Sequence, residues 1–373
     1  MCWLLKAVKN DPDLKLQIVV TGMHLSPRFG STYREIEQDG FRIDRRVDIL
    51  RFDDSESGIA KTIGTGSQLF ADAFKDLRPD LVVIFADRFE MLAASIAAYV
   101  AKVPIAHLHG GETSQGVIDE AFRHAITKMS HIHFPATEVY RNRIIQLGEN
   151  PKHVFNFGSM GLEGLHHLRL LTRSQLEERL RFNLDGRVAL CTYHPVTLEK
   201  SNPGEQIEGM LKALKRSELK VIFSKSNADT HGSLINGRLR KFCRSNPGKY
   251  MLIENLGQLL YLSCLKHCDV MVGNSSSGII EAASFKMPVV NIGDRQKGRI
   301  RNKNIIDVGY AERDITKGIK RALSSEFKKS LNGLKNPYDR FADGKVSLRI
   351  KDKLKIISLN EQMIKKAFFD IKL

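Results

Sequence analysis

The stretch IFADRFEMLAASIAAYVAKVPIAHLHGGETSQGVIDEAFRHAITKMSHIHFP, from Ile84 to Pro135, leaves few folds open to this chain. The apolar, β-branched run Leu81–Phe85 predicts a short buried strand. Met91, Leu92, Ser95, Ile96 and Tyr99 repeat at helical spacing, and Val103–His107, announced by Pro104, predicts a second strand. Two buried strands joined by a helix form a βαβ unit of a parallel sheet. The polar residues of the stretch are clustered. Asp87 and Arg88 follow the first strand, while His109, Gly110, Gly111 and Glu112 follow the second. Asp119, Glu120, Arg123 and His124 open the next helix. Ligands of open α/β sheets bind beyond the carboxyl ends of the strands, so one crevice is expected to collect these groups. Carboxylates beside arginines in a partly dry crevice suit proton-transfer chemistry.

The same alternation runs through most of the 373 residues. Met1–Lys9 has the pattern of an amphipathic helix without a capping residue before it, and a strand is expected at Leu16–Val20. A doubly wound domain usually begins on a strand, so an N-terminal segment carrying a strand and turn is expected upstream of Met1. A strand near Arg46–Leu50 and a helix over Ser57–Leu77 follow. Gly64-Thr65-Gly66 falls inside that helix, where it cannot serve as a dinucleotide-binding turn. Beyond the central stretch come strands at His131–Pro135 and Val154–Phe157, with a helix over Glu138–Leu147 between them. Gly158–Gly164 marks a domain crossover. Further strands are expected at Val188–Thr192, Lys220–Phe223, Met251–Ile253, Val270–Val272 and Val289–Ile292. The fold class that follows is α/β, two Rossmann-like domains facing each other across a cleft. The expected divisions are residues 1–162, 163–345 and a helical tail, 346–373, that packs back over the domains.

Composition narrows the partners. No apolar run approaches the roughly 20 residues needed to cross a bilayer, and MCWLLKAVKN is no secretory signal, so no membrane partner is expected. Five scattered cysteines suit reduced thiols in a cytoplasm better than a disulfide framework. The net charge of +16 is spread along the chain rather than gathered with aromatics on one face, which argues against nucleic acid. A small polyanion needs less charge, locally placed. Val270-Met271-Val272-Gly273-Asn274-Ser275-Ser276-Ser277-Gly278-Ile279-Ile280-Glu281 runs from strand through small hydroxyl residues into a helix. Backbone N–H groups and serine hydroxyls there form a metal-free phosphate cradle, against the plainer role of serine as a helix cap. Glu281 can accept two ribose hydroxyls side by side. Arg295, on the loop Gly293–Arg299 after the next strand, suits a diphosphate clamp. His194 follows the strand Val188–Thr192, and Asn227 and Asp229 follow the next. His107-x-His109 and His131-x-His133 invite a zinc reading, yet each pair lacks a third ligand in sequence, so no metal is expected. Cys264 and Cys268 read as core thiols.

Taken together, DRFEMLAA, HLHGGETSQGVIDEAFRHAITKMSHIHFPAT, YHPVT, GNSSSGIIEAASFKMPVVNIGDRQKGR and the late NPY resemble the hydrolysing UDP-N-acetylglucosamine 2-epimerase family, from Leu4 to about Ile350. The resemblance implies a GT-B-like fold, no cofactor, and homodimers or homotetramers built through the first domain. It also implies anti elimination of UDP across C1–C2 to a 2-acetamidoglycal. Water then adds at C1 and a proton returns to C2 on the opposite face, giving a free manno sugar for sialic or legionaminic acid. The UDP-sugar is UDP-N-acetylglucosamine or its 2,4-diacetamido-6-deoxy counterpart. Carried over residue by residue, Asp87 and Asp119 match acid/base carboxylates, His194 and Asn227 nucleotide-sugar contacts, and Arg88 a diphosphate contact. Ser275, Ser276, Gly278 and Glu281 match the phosphate and ribose holders, with Arg295 beside them. Two departures stand out. His109 lies where some members carry a glutamate, which leaves Glu112 as the third carboxylate. The opening strand and Arg-Ala-Asp-Tyr turn of the family do not stand in this sequence: either the start is assigned too late or the product is shortened, and a shortened product loses a charge-assisted contact on the order of 1.5–3 kcal/mol, or roughly ten- to a hundredfold in UDP-sugar affinity. Two other readings stand beside this one: a glycosyltransferase of the same architecture, and a shortened UDP-sugar-binding remnant without turnover.

Overall fold

The computed structural model describes residues 1–50, 55–196, 198, 203–226 and 231–371. They form an α/β protein whose strand pairings are parallel. The chain divides into two compact units. The first comprises 1–112, 118–163 and 338–373; the second comprises 113–117 and 164–337.

In the first unit, β1 (Val19–Thr21) pairs with β2 (Arg45–Val47), and β3 (Val82–Phe85), β4 (Ile105–Leu108) and β5 (Ile132–Phe134) form a three-stranded sheet. Side chains alternate across this sheet. Val82, Ile84 and Ile105 join Phe70, Ala93 and Ile126 on one face, while Val83, Ala106, Leu108, Ile132 and Phe134 meet Leu4, Val346 and Ile350 on the other. A sheet covered on both faces explains why these strands read as continuous apolar runs rather than alternating ones. Gly66 lies within the Glu56–Leu77 helix, where a Cβ would come within 2.9 Å of the Ala93 Cβ; it lets two helices close up. The run Val154–Phe157 is not a strand. Only Val154 bridges to His133, because the Asn156 side chain accepts from Gly158 N and the chain turns there. The helix Val346–Ile356 and the tail beyond it pack on this unit.

The second unit holds a six-stranded sheet of β6 (Val188–Thr192), β7 (Lys220–Ser224), β8 (Tyr250–Ile253), β9 (Val270–Gly273), β10 (Val289–Ile292) and β11 (Ile305–Val308), in the order β11-β10-β9-β6-β7-β8. Alternation again builds two cores. Ala189, Cys191, Val221, Phe223, Val270 and Val272 face one side; Val188, Leu190, Ile222, Met271 and Val289 face the other. β11 escapes sequence reading, being four residues long, half-buried and interrupted by exposed Asp307. The strand order reverses between β6 and β9, the topological switch point at which sheets of this kind take ligands.

Candidate active site

Each unit carries one constellation. In the first, β3 delivers Asp87 and Arg88 just beyond its carboxyl end, and Ala86 takes a left-handed φ of 64° to turn the chain there. His109 ends β4 with a φ of 63°, an unusual conformation for a residue with a side chain. Its ring is fixed from both sides. Nδ1 donates to Glu112 Oε1 at 2.8 Å, and Nε2 lies 3.4 Å from Ser159 Oγ. Arg123, only 1% exposed, gathers the acids: it donates to Asp87, to Glu120 Oε2 at 2.9 Å and to the Glu112 carbonyl at 3.1 Å. A buried guanidinium needs such partners to offset its desolvation. Asp119 is the first residue of the helix Asp119–Met129 and is buried, where the helix dipole favours a carboxylate. The Asp87 and Glu120 carboxylates are thus brought onto one arginine, itself one turn into the helix that Asp119 opens, while Glu112 meets it through its main-chain carbonyl and turns its carboxylate to His109. Arg88 is held by Glu90 at 3.1 and 3.3 Å.

Beneath this group His107 is fully buried, and burial holds its imidazole down at about 3. Its Nε2 therefore carries the proton and donates to the Ala86 carbonyl at 2.9 Å, leaving Nδ1 to accept from the Thr127 hydroxyl at 3.1 Å. His131 Nδ1 accepts from Ile105 N, and His133 Nε2 bonds Glu149 Oε2 at 3.1 Å. The His-x-His pairs thus serve the sheet and an ion cluster. Among the described residues no group of three His, Cys, Asp or Glu could hold a metal.

The second constellation lies at the switch point. Gly273, with φ 141°, ends β9 so close to β6 that any side chain would collide with the Thr192 carbonyl. Asn274 follows, fully buried. Its Oδ1 accepts from His194 N at 2.7 Å and its Nδ2 donates to His194 O at 2.8 Å, so one side chain pins the loop after β6. His194 Nδ1 lies 3.3 Å from Ser226 Oγ, whose backbone is held by Asn236. The Asn274 carbonyl accepts from Arg295 Nη1 at 3.3 Å and Gln296 Nε2 at 2.9 Å, tying the loop after β10 to the same point. Ser275 Oγ accepts from Ser277 N at 3.3 Å, and Tyr261 OH donates to Ser277 Oγ. Burial, then the Glu281 carboxylate, raise the Tyr261 phenol far above its usual range, so it stays a donor. Gly278 is buried against Val289, whose Cγ1 a Cβ would approach to 2.9 Å. His194, Ser275, Ser276, Gly278, Glu281 and Arg295 thus gather within this unit. Asn227 and Asp229 lie outside the described residues.

Two organising residues fall outside the site set expected from sequence. Arg123 is visible there only as one of several polar residues opening a helix. Asn274 is visible as the residue between a strand-ending glycine and the serines, a place where a buried amide can join two strand ends.

The family model described as UDP-N-acetylglucosamine 2-epimerase matches residues 6–355. The chain is 44% identical over 324 residues to the hydrolysing GDP/UDP-N,N'-diacetylbacillosamine 2-epimerase of Campylobacter jejuni, covering 87% of this chain and 84% of that one. It is 39% identical to the hydrolysing UDP-N,N'-diacetylbacillosamine 2-epimerase of Legionella pneumophila, covering 98% and 94%. The UDP-GlcNAc 2-epimerase of Neisseria meningitidis, crystallised with UDP-GlcNAc, shares the fold with a TM-score of 0.78 at 18% identity, covering 95% of each chain. Identity at this level along nearly the whole length carries more than a shared architecture does: the chain belongs to the UDP-N-acetylglucosamine 2-epimerase family, as a hydrolysing epimerase.

Proposed function

We propose that the chain converts a UDP-linked 2-acetamido sugar of the gluco series into the free manno sugar and UDP, with UDP-N,N'-diacetylbacillosamine as the substrate and UDP-N-acetylglucosamine as the alternative. The substrate choice rests on the names of the two relatives given above. The observation that carries the chemistry is one buried arginine that holds the Asp87 and Glu120 carboxylates one turn into the helix that Asp119 opens, in a chain that also builds a serine loop at a switch point. A base takes the C2 proton as the C1–O bond to UDP breaks. The 2-acetamidoglycal so formed takes hydroxyl at C1 and a proton at C2 from the other face, so one water is consumed. Asp87, Asp119 and Glu112 are assigned this proton traffic, with His194 beside the nucleotide. Arg88, His109, Asn227, Ser275, Ser276, Gly278, Glu281 and Arg295 are assigned to hold the UDP-sugar. No step calls for a cofactor.

Incubation with each UDP-sugar in deuterated water, followed by NMR, tests this. UDP and a manno product deuterated at C2 are expected; UDP with an unlabelled gluco sugar would mean simple hydrolysis and sink the reading. We place the product in the supply of sialic or legionaminic acid, and the protein in the cytoplasm as a homodimer or homotetramer. The compartment reading is supported by the free cysteines; among the described residues no helix is long and apolar enough to cross a membrane. Light scattering reads the oligomer directly.

A further inference from the structure

The residues Thr113–Val117 connect two parts of the first unit, yet they fold as part of the second. They lie on the loop after β10, held by both backbone and side chain. Arg299 Nε donates to the Thr113 carbonyl at 3.2 Å, and Nε and Nη2 each lie 3.4 Å from Ser114 Oγ. Gln115 N donates to the Lys297 carbonyl at 3.3 Å, and the Gly116 carbonyl accepts from Leu198 N at 3.2 Å. Two glycines permit this closeness. A Cβ on Gly116 would lie 3.0 Å from both Arg295 Cα and the Asp294 carbonyl, and one on Gly298, at φ 86°, would meet the Thr113 methyl at 2.5 Å. Thr113 and Ser114 are buried. This strap and the Arg295 loop are therefore packed tightly enough to shift as one body.

The strap's ends matter as much as its seat. Glu112 is bonded directly to one end, and Ile118 alone separates the other from Asp119, the start of the helix that carries Arg123. Few soft torsions lie between the anion loop and two of the assigned acid/base carboxylates. We propose that Thr113–Val117 is a positioning strap, through which a nucleoside diphosphate on the Arg295 loop sets the placement of Glu112 and Asp119, and that Arg299 is its positioning residue. The proposal rests on the activity assigned above and adds how nucleotide occupancy governs that site.

The experiment compares wild type with Arg299→Ala, Arg299→Lys and Gly116→Ala. UDP affinity is measured by calorimetry, turnover by UDP release, and coupling by hydrogen–deuterium exchange with and without UDP. In the wild type, UDP slows exchange over 112–123 as well as 294–299. In Arg299→Ala and Gly116→Ala the UDP affinity stays within about threefold. Turnover falls about a hundredfold, the effect of a misplacement near 1 Å, and protection is confined to 294–299. Arg299→Lys, which keeps charge but loses the fork, falls between and carries the test if the alanine variant melts early. Parallel losses of UDP affinity and turnover would make Arg299 a plain phosphate ligand and overturn the proposal, as would unchanged turnover in both Arg299→Ala and Gly116→Ala. The exchange readout separates the two readings. Wild type that binds UDP and protects 112–123 without turnover sinks the assigned activity and keeps the strap. Wild type that turns over without protecting 112–123 sinks the strap alone, and wild type that fails to bind UDP sinks both.

Discussion

A buried imidazole records how dry the floor beneath Asp87 is. Burial holds His107 at about 3 and, first among its causes, brings His131 down to about 4, whereas both groups titrate near 6.5 when the chain is unfolded. Below pH 6.5 the unfolded chain therefore takes up protons that the folded protein refuses. Stability present at pH 7 is lost as the pH falls from 6.5 toward those folded values, by up to about 1.4 kcal/mol per pH unit for each histidine. Glu149 does not confuse the upper part of this window. Burial pushes its carboxyl up, but His133, Lys128 and Lys366 outweigh that and hold it at about 2, so its own contribution is lost only below the ordinary range near 4.5. Replacing His107 with Gln keeps a donor for the Ala86 carbonyl and an acceptor for Thr127, while removing the titration. Urea unfolding at a series of pH values between 6.5 and 4.5 should show a slope for His107→Gln shallower than wild type by about one proton. Equal slopes would mean that His107 takes its proton in the folded state. Sequence reading finds the His-x-His pairs but gives them a metal as the alternative to a structural role. The donor and acceptor that settle the His107 ring, and the amide that holds His131, come from residues twenty or more positions away.

At the scale of elements, alternation of apolar side chains identifies most strands, because a strand buried on both faces leaves a compact apolar run. It fails where the edge is wet, as at Ile305–Val308, and where an Asx turn cuts a run short, as at Asn156–Gly158. It also says little about the tail, which here forms a clasp lying past the part of the chain the family model matches. Lys366 donates to Glu149 Oε2 at 2.7 Å and to the carbonyls of Lys128 and Ser130 at 2.6 Å each. Phe369 N donates to the Gly148 carbonyl at 2.9 Å, and Phe368 fills the space beside Gly148. Burial lowers the Lys366 ammonium, and the Glu149 carboxylate works against that. Lys366→Met strands the carbonyls of half-buried Lys128 and buried Ser130 and removes one partner of Glu149, which retains His133 and Lys128. A loss of about 1–3 kcal/mol is expected in urea unfolding. Unchanged stability would show the clasp to be ornamental to the fold.

For the whole molecule, the α/β class and the carboxyl-end placement of Asp87, Glu112, His194 and Ser275 are legible in the sequence, because both follow from local periodicity. Strand order is not, since nothing local says that β9 returns to lie beside β6; that pairing alone makes Asn274 and His194 neighbours. Nor is the departure of Thr113–Val117 into the other unit, which depends on Gly116 and Gly298 meeting surfaces far away in sequence. Charge is a property of the same scale, and 58 basic against 42 acidic residues give the chain +16. The whole field draws a nucleoside diphosphate toward the protein, and salt screens that field with a Debye length falling from about 10 Å at 0.1 M to about 3 Å at 1 M. UDP affinity measured by calorimetry should therefore weaken about tenfold between low salt and 0.5 M salt. Uridine, lacking the phosphates, should show almost no dependence. Equal salt dependence for the two ligands would place the recognition in the nucleoside and leave Arg295 and the serine loop with no anion to hold.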